Sequence, residues 1–212
     1  NIMTVEDPVE YLIDGIGQTQ VNTKIDMTFA KGLRAILRQD PDVVMIGEIR
    51  DLETAEIAIQ ASLTGHLVMA TLHTNTSVGA ITRLRDMGIE PYLISSTLIG
   101  VVAQRLVRVL NPTTKKSMKA KSYECEMLGI NPSDPPLIYH ADGASGFSGR
   151  TGIYELLQVD DNVRELIHDG ASEREIEKYI RKNNPSIRED GKNKVLSGIT
   201  TLDEILRVTQ ND

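Results

Sequence analysis

Glu48 stands at the end of an almost unbroken apolar run, Asp42-Val43-Val44-Met45-Ile46-Gly47-Glu48. Such a run reads as a strand buried on both faces, a stiff arm that would hold a carboxylate in a fixed position. Gly47 removes the side chain that would crowd the approach to it. In nucleotide hydrolysis a carboxylate so placed can orient the attacking water or hold a magnesium ion through water. Glu6-Asp7-Pro8 repeats the arrangement after Ile2-Met3-Thr4-Val5, with Pro8 restricting Asp7 to extended backbone. Acids gathered from two strand ends repel one another unless a cation or an arginine sits among them, which argues for magnesium. A third apolar run, Leu67–Leu72, leads into His73, Thr74, Asn75 and Thr76, hydrogen-bonding groups of the kind that strengthen as charge moves during phosphoryl transfer. His66 precedes the same run, so the two histidines bracket a strand and do not readily share a metal. Arg34 and Arg38 are four apart, one face of a helix, and Arg50, Arg83, Arg85, Arg105 and Arg150 are further candidates for phosphate contacts.

The grip on the phosphates is missing. No glycine-rich run ends in Lys and Ser or Thr: Lys24 and Lys31 lack the preceding glycines, and Lys192 and Lys194 fall in a helical tail. The chain opens at Asn1, already in strand-like sequence, and reads as a piece of something longer.

The elements that must position these groups alternate. Between the three strand-like runs lie helical stripes at Phe29, Leu33, Ile36 and Leu37, and at Ala55, Ile59 and Leu63, the second stopping at Gly65. Strand, helix, strand, helix, strand at this spacing predicts a parallel α/β sheet, whose ligands bind at the carboxyl ends of the strands. Helices are expected over 77–87 and from Pro91 through Val102. Residues 111–148, rich in Pro, Gly and Ser, read as an irregular subdomain, and 149–212 as a short strand at Thr151–Val159 followed by helices near 161–168, 173–183, 187–196 and 202–208. Ser172 with Glu175 and Thr201 with Glu204 have capping-box spacing.

Composition narrows the classes. With 23 basic and 30 acidic residues among 212, the net charge of −7 carries no basic stripe for nucleic acid. The lone Cys125 excludes an internal disulfide, and no apolar stretch is long enough to span a bilayer.

Taken together, TVEDPVEY (4–11), IGQTQVN (16–22), RAILRQDP (34–41), DVVMIGEIRD (42–51), GHLVMATLHTN (65–75), QRLVRVL (104–110), GRTGIYELL (149–157) and the final SIREDG and VLSGITTLDEILRVT closely resemble the secretion ATPases that power type II secretion and type IV pilus assembly, nearest to the type II branch. The resemblance implies a RecA-like core fragment over 1–110, lacking its phosphate-loop segment. It makes 4–11 the Asp box, 42–51 the Walker B segment and 65–75 the His box. It implies Glu48, Glu6 and His73 as catalytic residues, Glu6 and Asp7 near magnesium, directly or through water, and Asp7, Arg34, Arg38, His66 and Arg150 near ATP. It further implies a homo-hexamer on the cytoplasmic face of the bacterial inner membrane, peripheral to it, working with cytoplasmic domains of the secretion platform. Pilus extension is the alternative within the family, and a non-catalytic scaffold is the alternative for the isolated chain, which without its phosphate loop is expected to be inactive. Many type II members carry two Cys-x-x-Cys pairs in a zinc module. Asn111-Pro112-Thr113-Thr114 and His140–Gly146 stand in those places, so no zinc is expected and 111–148 should be less rigid.

Overall fold

The computed structural model describes residues 1–209. In chain order its strands and α-helices are β1 (Ile2–Glu6), β2 (Ile16–Gln20), α1 (Phe29–Ile36), β3 (Val43–Ile46), α2 (Leu52–Leu63), β4 (Leu67–Ala70), α3 (Ser77–Asp86), α4 (Pro91–Thr97), β5 (Gly100–Leu110), β6 (Lys116–Lys119), α5 (Ser122–Leu128), β7 (Leu137–His140), β8 (Phe147–Gln158), α6 (Asp161–His168), α7 (Glu173–Ile180), α8 (Ile187–Leu196) and α9 (Leu202–Val208). They divide into two compact units. The first comprises Asn1–Thr74, Val78–Ile99 and Gln158–Glu177, and the second Asn75–Ser77, Gly100–Leu157 and the chain from Lys178 onward. The packing therefore does not follow the segments 1–110, 111–148 and 149–212. Composition changes where loops are, whereas the units are closed by chain returns: α6 packs on α4, and β8 pairs with β5.

The first unit holds a wholly parallel sheet in the order β2-β1-β3-β4. All three expected strands are present. Register aligns Val5 with Ile46 and Ile46 with Ala70, so the carboxyl ends of β1, β3 and β4 share one edge. Val5, Val44 and Ile46 are fully buried, as central strands covered by helices require. Helix α1 lays Phe29, Leu33 and Ile36 against the sheet and is started by Thr28, whose hydroxyl accepts from the Lys31 amide. Gly32 allows that approach: a Cβ there would lie 2.9 Å from a Val5 methyl. Helix α1 ends at Ile36, and Arg38 lies in a separate 3-10 turn, so Arg34 and Arg38 do not share one helix face. Arg85 of α3 donates to the carbonyls of Ile167 (3.0 Å) and Ala171 (2.6 Å), a cation where α6 runs out of amide partners.

Several expectations are corrected along the rest of the chain. The helix opened by Pro91 stops at Thr97, and the following valines form β5, with Val102 exposed. Residues 111–148 hold regular elements: β6 and β7 pair antiparallel around α5, and Ala120, Cys125, Leu128 and Ile138 join one core with Val107, Ile153 and Ile205. Strand β8 is longer than the expected Thr151–Val159, beginning at Phe147, and α7 ends at Ile180. Ser186 and Glu189 form a reciprocal capping box at α8, while Ser172 and Glu175 exchange bonds as expected in the first unit.

Thr201 and Glu204 make only half a box. The Thr201 hydroxyl caps the Glu204 amide at 3.3 Å, but the Glu204 carboxylate is buried beneath two arginines, 2.7 Å from Arg108 Nη2 and 3.0 Å from Arg207 Nη2. Burial pushes this carboxyl up; the bonds from Arg108 and Arg207 outweigh it and hold the group down at about 2, from an ordinary 4.5. A folded value below the unfolded one means the unfolded chain takes up the proton first. The stabilisation from Glu204 is therefore complete above 4.5 and lost as the pH falls through about 2. Glu204→Gln should flatten the acid limb of a melting-temperature-against-pH profile across that window, and an unchanged limb would remove Glu204 from the acid response.

Candidate active site

The ends of β1 and β3 are drawn tightly together beyond the regular sheet. The Gly47 amide donates to the Val5 carbonyl at 2.8 Å, and a Cβ on Gly47 would stand 3.2 Å from that oxygen and 3.3 Å from Glu6 Cα. On the other side the Thr71 amide donates to Ile46 O (3.3 Å), the Ile49 amide to Thr71 O (3.0 Å), and the Thr71 hydroxyl to Gly47 O. Glu48 is thus pinned on both flanks of its backbone.

Its side chain is only 13% exposed, and its two oxygens have different partners. Oε1 lies 2.8 Å from His73 Nε2, and Oε2 accepts from Arg50 Nε. Arg50 Nη1 is 3.7 Å from Asp7 Oδ2, and its guanidinium sits 5.9 Å from the Phe29 ring centre. Glu48, His73, Arg50 and Asp7 therefore form one chain of interactions drawn from three strand ends. Arg50 is the member that sequence reasoning left among many arginines. The available signal was its place two residues after Glu48, the spacing that returns to the same side of an extended chain.

The remaining candidates are placed differently. Glu6 Oε1 accepts from the Thr4 hydroxyl and from Gln18 Nε2 at 3.1 Å, while Gln18 also donates to Tyr11 O (2.9 Å) and accepts from the Ile13 amide (2.7 Å). Glu6 thus ties β1 to the loop that follows it. His66 lies before β4, at the opposite end of the strand from His73, with Nδ1 3.0 Å from Ala61 O and 3.2 Å from the Thr64 hydroxyl at the end of α2. Arg34 pairs with Glu53 of α2 at 2.7 Å, Arg38 is exposed in its turn, and Arg150 is an exposed residue of β8 in the second unit.

Among the described residues no three Asp, Glu, His or Cys side chains converge as a metal cage. Magnesium does not require one: it keeps several waters and binds through one or two carboxylates together with substrate phosphates. Hard oxygen donors of that kind, Glu6 as the last residue of β1 and Asp7 just past it, lie on the edge that carries Glu48, and the donor set fits the ion on those terms.

The comparisons with known proteins point one way. The chain is 62% identical, over its whole length, to "Type II secretion system protein E" of Pseudomonas aeruginosa and 63% identical, over 99% of its length, to "Type II secretion system ATPase E" of Vibrio cholerae. It spans 43% of each of these relatives, less than half their length. Among solved structures it matches "Crystal Structure of the Pilus Retraction Motor PilT and Bound ADP" with a TM-score of 0.71 at 28% identity, covering 99% of this chain and 52% of that one. The Legionella pneumophila ATPase DotB, at 23% identity and a TM-score of 0.70 over all of this chain and 52% of its own, agrees in fold. The twisted parallel sheet with flanking helices is accordingly RecA-like. The model of the family described as "Type II/IV secretion system protein" matches residues 1–207, and the chain belongs to that family.

Proposed function

We propose that this chain is the C-terminal catalytic domain of a hexameric ATPase that hydrolyses ATP to drive pseudopilus assembly in type II secretion. The observation that carries the reading is Glu48, pinned at the sheet edge with His73 on one oxygen and Arg50 on the other. The names and identities of the type II relatives support the type II branch. Magnesium bound with ATP would supply charge neutralisation at the phosphates, with Asp7 and Glu6 holding it directly or through water. Glu48 accepts a hydrogen bond from the attacking water and aims it. His73, largely exposed at 87% and bonded to Glu48, is placed to report the γ-phosphate to that carboxylate. Arg34, Arg38, His66 and Arg150 belong to this reading only as nucleotide contacts made in the assembled ring.

Partners in the reading are five further copies of the chain and the cytoplasmic domains of inner-membrane platform proteins, with the motor peripheral to that membrane. No helix among the described residues is long and apolar enough to cross a bilayer, which is compatible with this placement. No zinc enters it: Cys125 is buried, its thiol 3.9 Å from the Ala120 carbonyl. The reading is tested by phosphate release from the full-length protein. Turnover should require magnesium, stop on chelation and return on readdition; nucleotide binding with no turnover under any of these conditions would favour a scaffold.

A further inference from the structure

Arg50 joins two carboxylates that arrive on different strands. Its Nε donates to Glu48 Oε2, and its Nη1 lies 3.7 Å from Asp7 Oδ2. The side chain is 58% exposed, so the pair contributes little to folding stability, as is usual for ion pairs in contact with water. Its effect is geometric. His73, itself largely exposed, restrains the broad terminal torsion of the Glu48 carboxylate through Oε1 alone. A second donor on Oε2 fixes the plane. The flat guanidinium meets both acids through separate nitrogens while lying 5.9 Å from the Phe29 ring centre, a combination that a point-charge ammonium does not reproduce. Phe29 is itself buried at the start of α1, so the ring is a fixed support.

We propose that Arg50 is a positioning residue for hydrolysis: it sets the rotation of the Glu48 carboxylate and ties it to Asp7, so that the carboxylate meets the attacking water in one orientation. This rests on the reading of Glu48 as the group that aims the water. Arg50 acts through Glu48 and touches no reacting atom.

The test uses the full-length protein with Arg50→Ala, Arg50→Lys, Glu48→Gln and the Arg50→Ala/Glu48→Gln double variant. A misaimed carboxylate should lower kcat by about 10–100-fold in Arg50→Ala, with KM for ATP held within about threefold. Arg50→Lys should recover only a minor part of the loss. Guanidinium ion at millimolar concentration should raise the rate of Arg50→Ala and leave wild type unchanged. Because Arg50 works through Glu48, the double variant should be no slower than Glu48→Gln alone. Wild-type kcat in Arg50→Ala, full rescue by lysine, or losses that multiply in the double variant would each overturn the proposal. Thermal melting of Arg50→Ala guards against misfolding. Should that variant unfold, Arg50→Lys decides by its kcat alone, near wild type against the proposal and well below it in favour. An inactive Glu48→Gln beside a fully active Arg50→Ala removes only Arg50, whereas an active Glu48→Gln removes the reading of Glu48 and Arg50 with it.

Discussion

Glu48→Gln in the full-length protein should slow ATP turnover by about 10²–10⁴-fold while nucleotide affinity stays near that of wild type. The amide has almost the same size and shape, and the surroundings can accommodate it. Its oxygen can accept from Arg50 Nε as the carboxylate does, and its NH2 can donate to His73 in the tautomer that leaves Nε2 free to accept. Backbone bonds on both flanks, from Gly47 to Val5 and from Ile49 to Thr71, do not involve the side chain at all. What disappears is the negative charge and one accepting oxygen, the two properties that aim and polarise a water. Phosphate release under multiple turnover, set beside equilibrium binding of a fluorescent ATP analogue, separates the two effects. Turnover within tenfold of wild type would remove Glu48 from the chemistry, and a collapse of binding would make its role one of holding the nucleotide.

The largest effect on stability is expected at Glu155, which takes no part in the proposed chemistry. This buried carboxylate of β8 accepts from the Ser77 hydroxyl, the Ser77 amide (3.2 Å), Arg181 Nη2 (2.6 Å) and the Ile187 amide (3.3 Å). Burial pushes its carboxyl up, but the Ser77 bonds and the Arg181 charge prevail and hold it below its ordinary value. It therefore stabilises the fold at neutral pH, and the contribution fades as the pH falls below the unfolded carboxyl range. Glu155→Ala strands three kinds of donor at once, the Arg181 Nη2 that bonds this carboxylate among them, a change that costs about 3–5 kcal/mol. Glu155→Gln keeps the volume and part of the bonding and should cost roughly half as much. Denaturant unfolding of the three forms gives the comparison. Equal midpoints for wild type and Glu155→Ala would show that the network carries no net stability.

How far the sequence could be read depended on whether burial leaves a local mark. Strands β1 and β3 were legible because a central strand covered on both faces must be apolar along its length, and β4 because its run is apolar even though, at the sheet's other edge, it leaves Leu67 and Met69 exposed. Strand β2 was not, since Gln18, Thr19 and Gln20 are polar in an edge strand with only one paired side. The segment around α5 looked irregular because Ala120, Cys125, Leu128 and Ile138 are arranged to meet residues such as Val195 and Ile205, far along the chain, and no local window registers that spacing. Leu98 and Val102, four apart, imitate a helical face, yet the run of valines belongs to β5. At the site, Glu48, Asp7 and His73 were legible because the sheet itself delivers its strand ends to one edge. Arg50 was not singled out: its place two residues after Glu48 pointed to one acid, and nothing local announced Asp7 as the second. His66 and Arg34 show the converse: both carry suitable chemistry, and both have local partners, the end of α2 and Glu53.

Cys125 bears on how this chain could be followed by fluorescence. It is the sequence's sole thiol, and it lies wholly inside the core of the second unit. A thiol shielded in apolar surroundings is out of reach of polar maleimides. In this chain a dye attachment point can therefore be introduced at an exposed position without first deleting Cys125. Slow labelling of Cys125 itself then becomes a clock for the opening of the unit that encloses it.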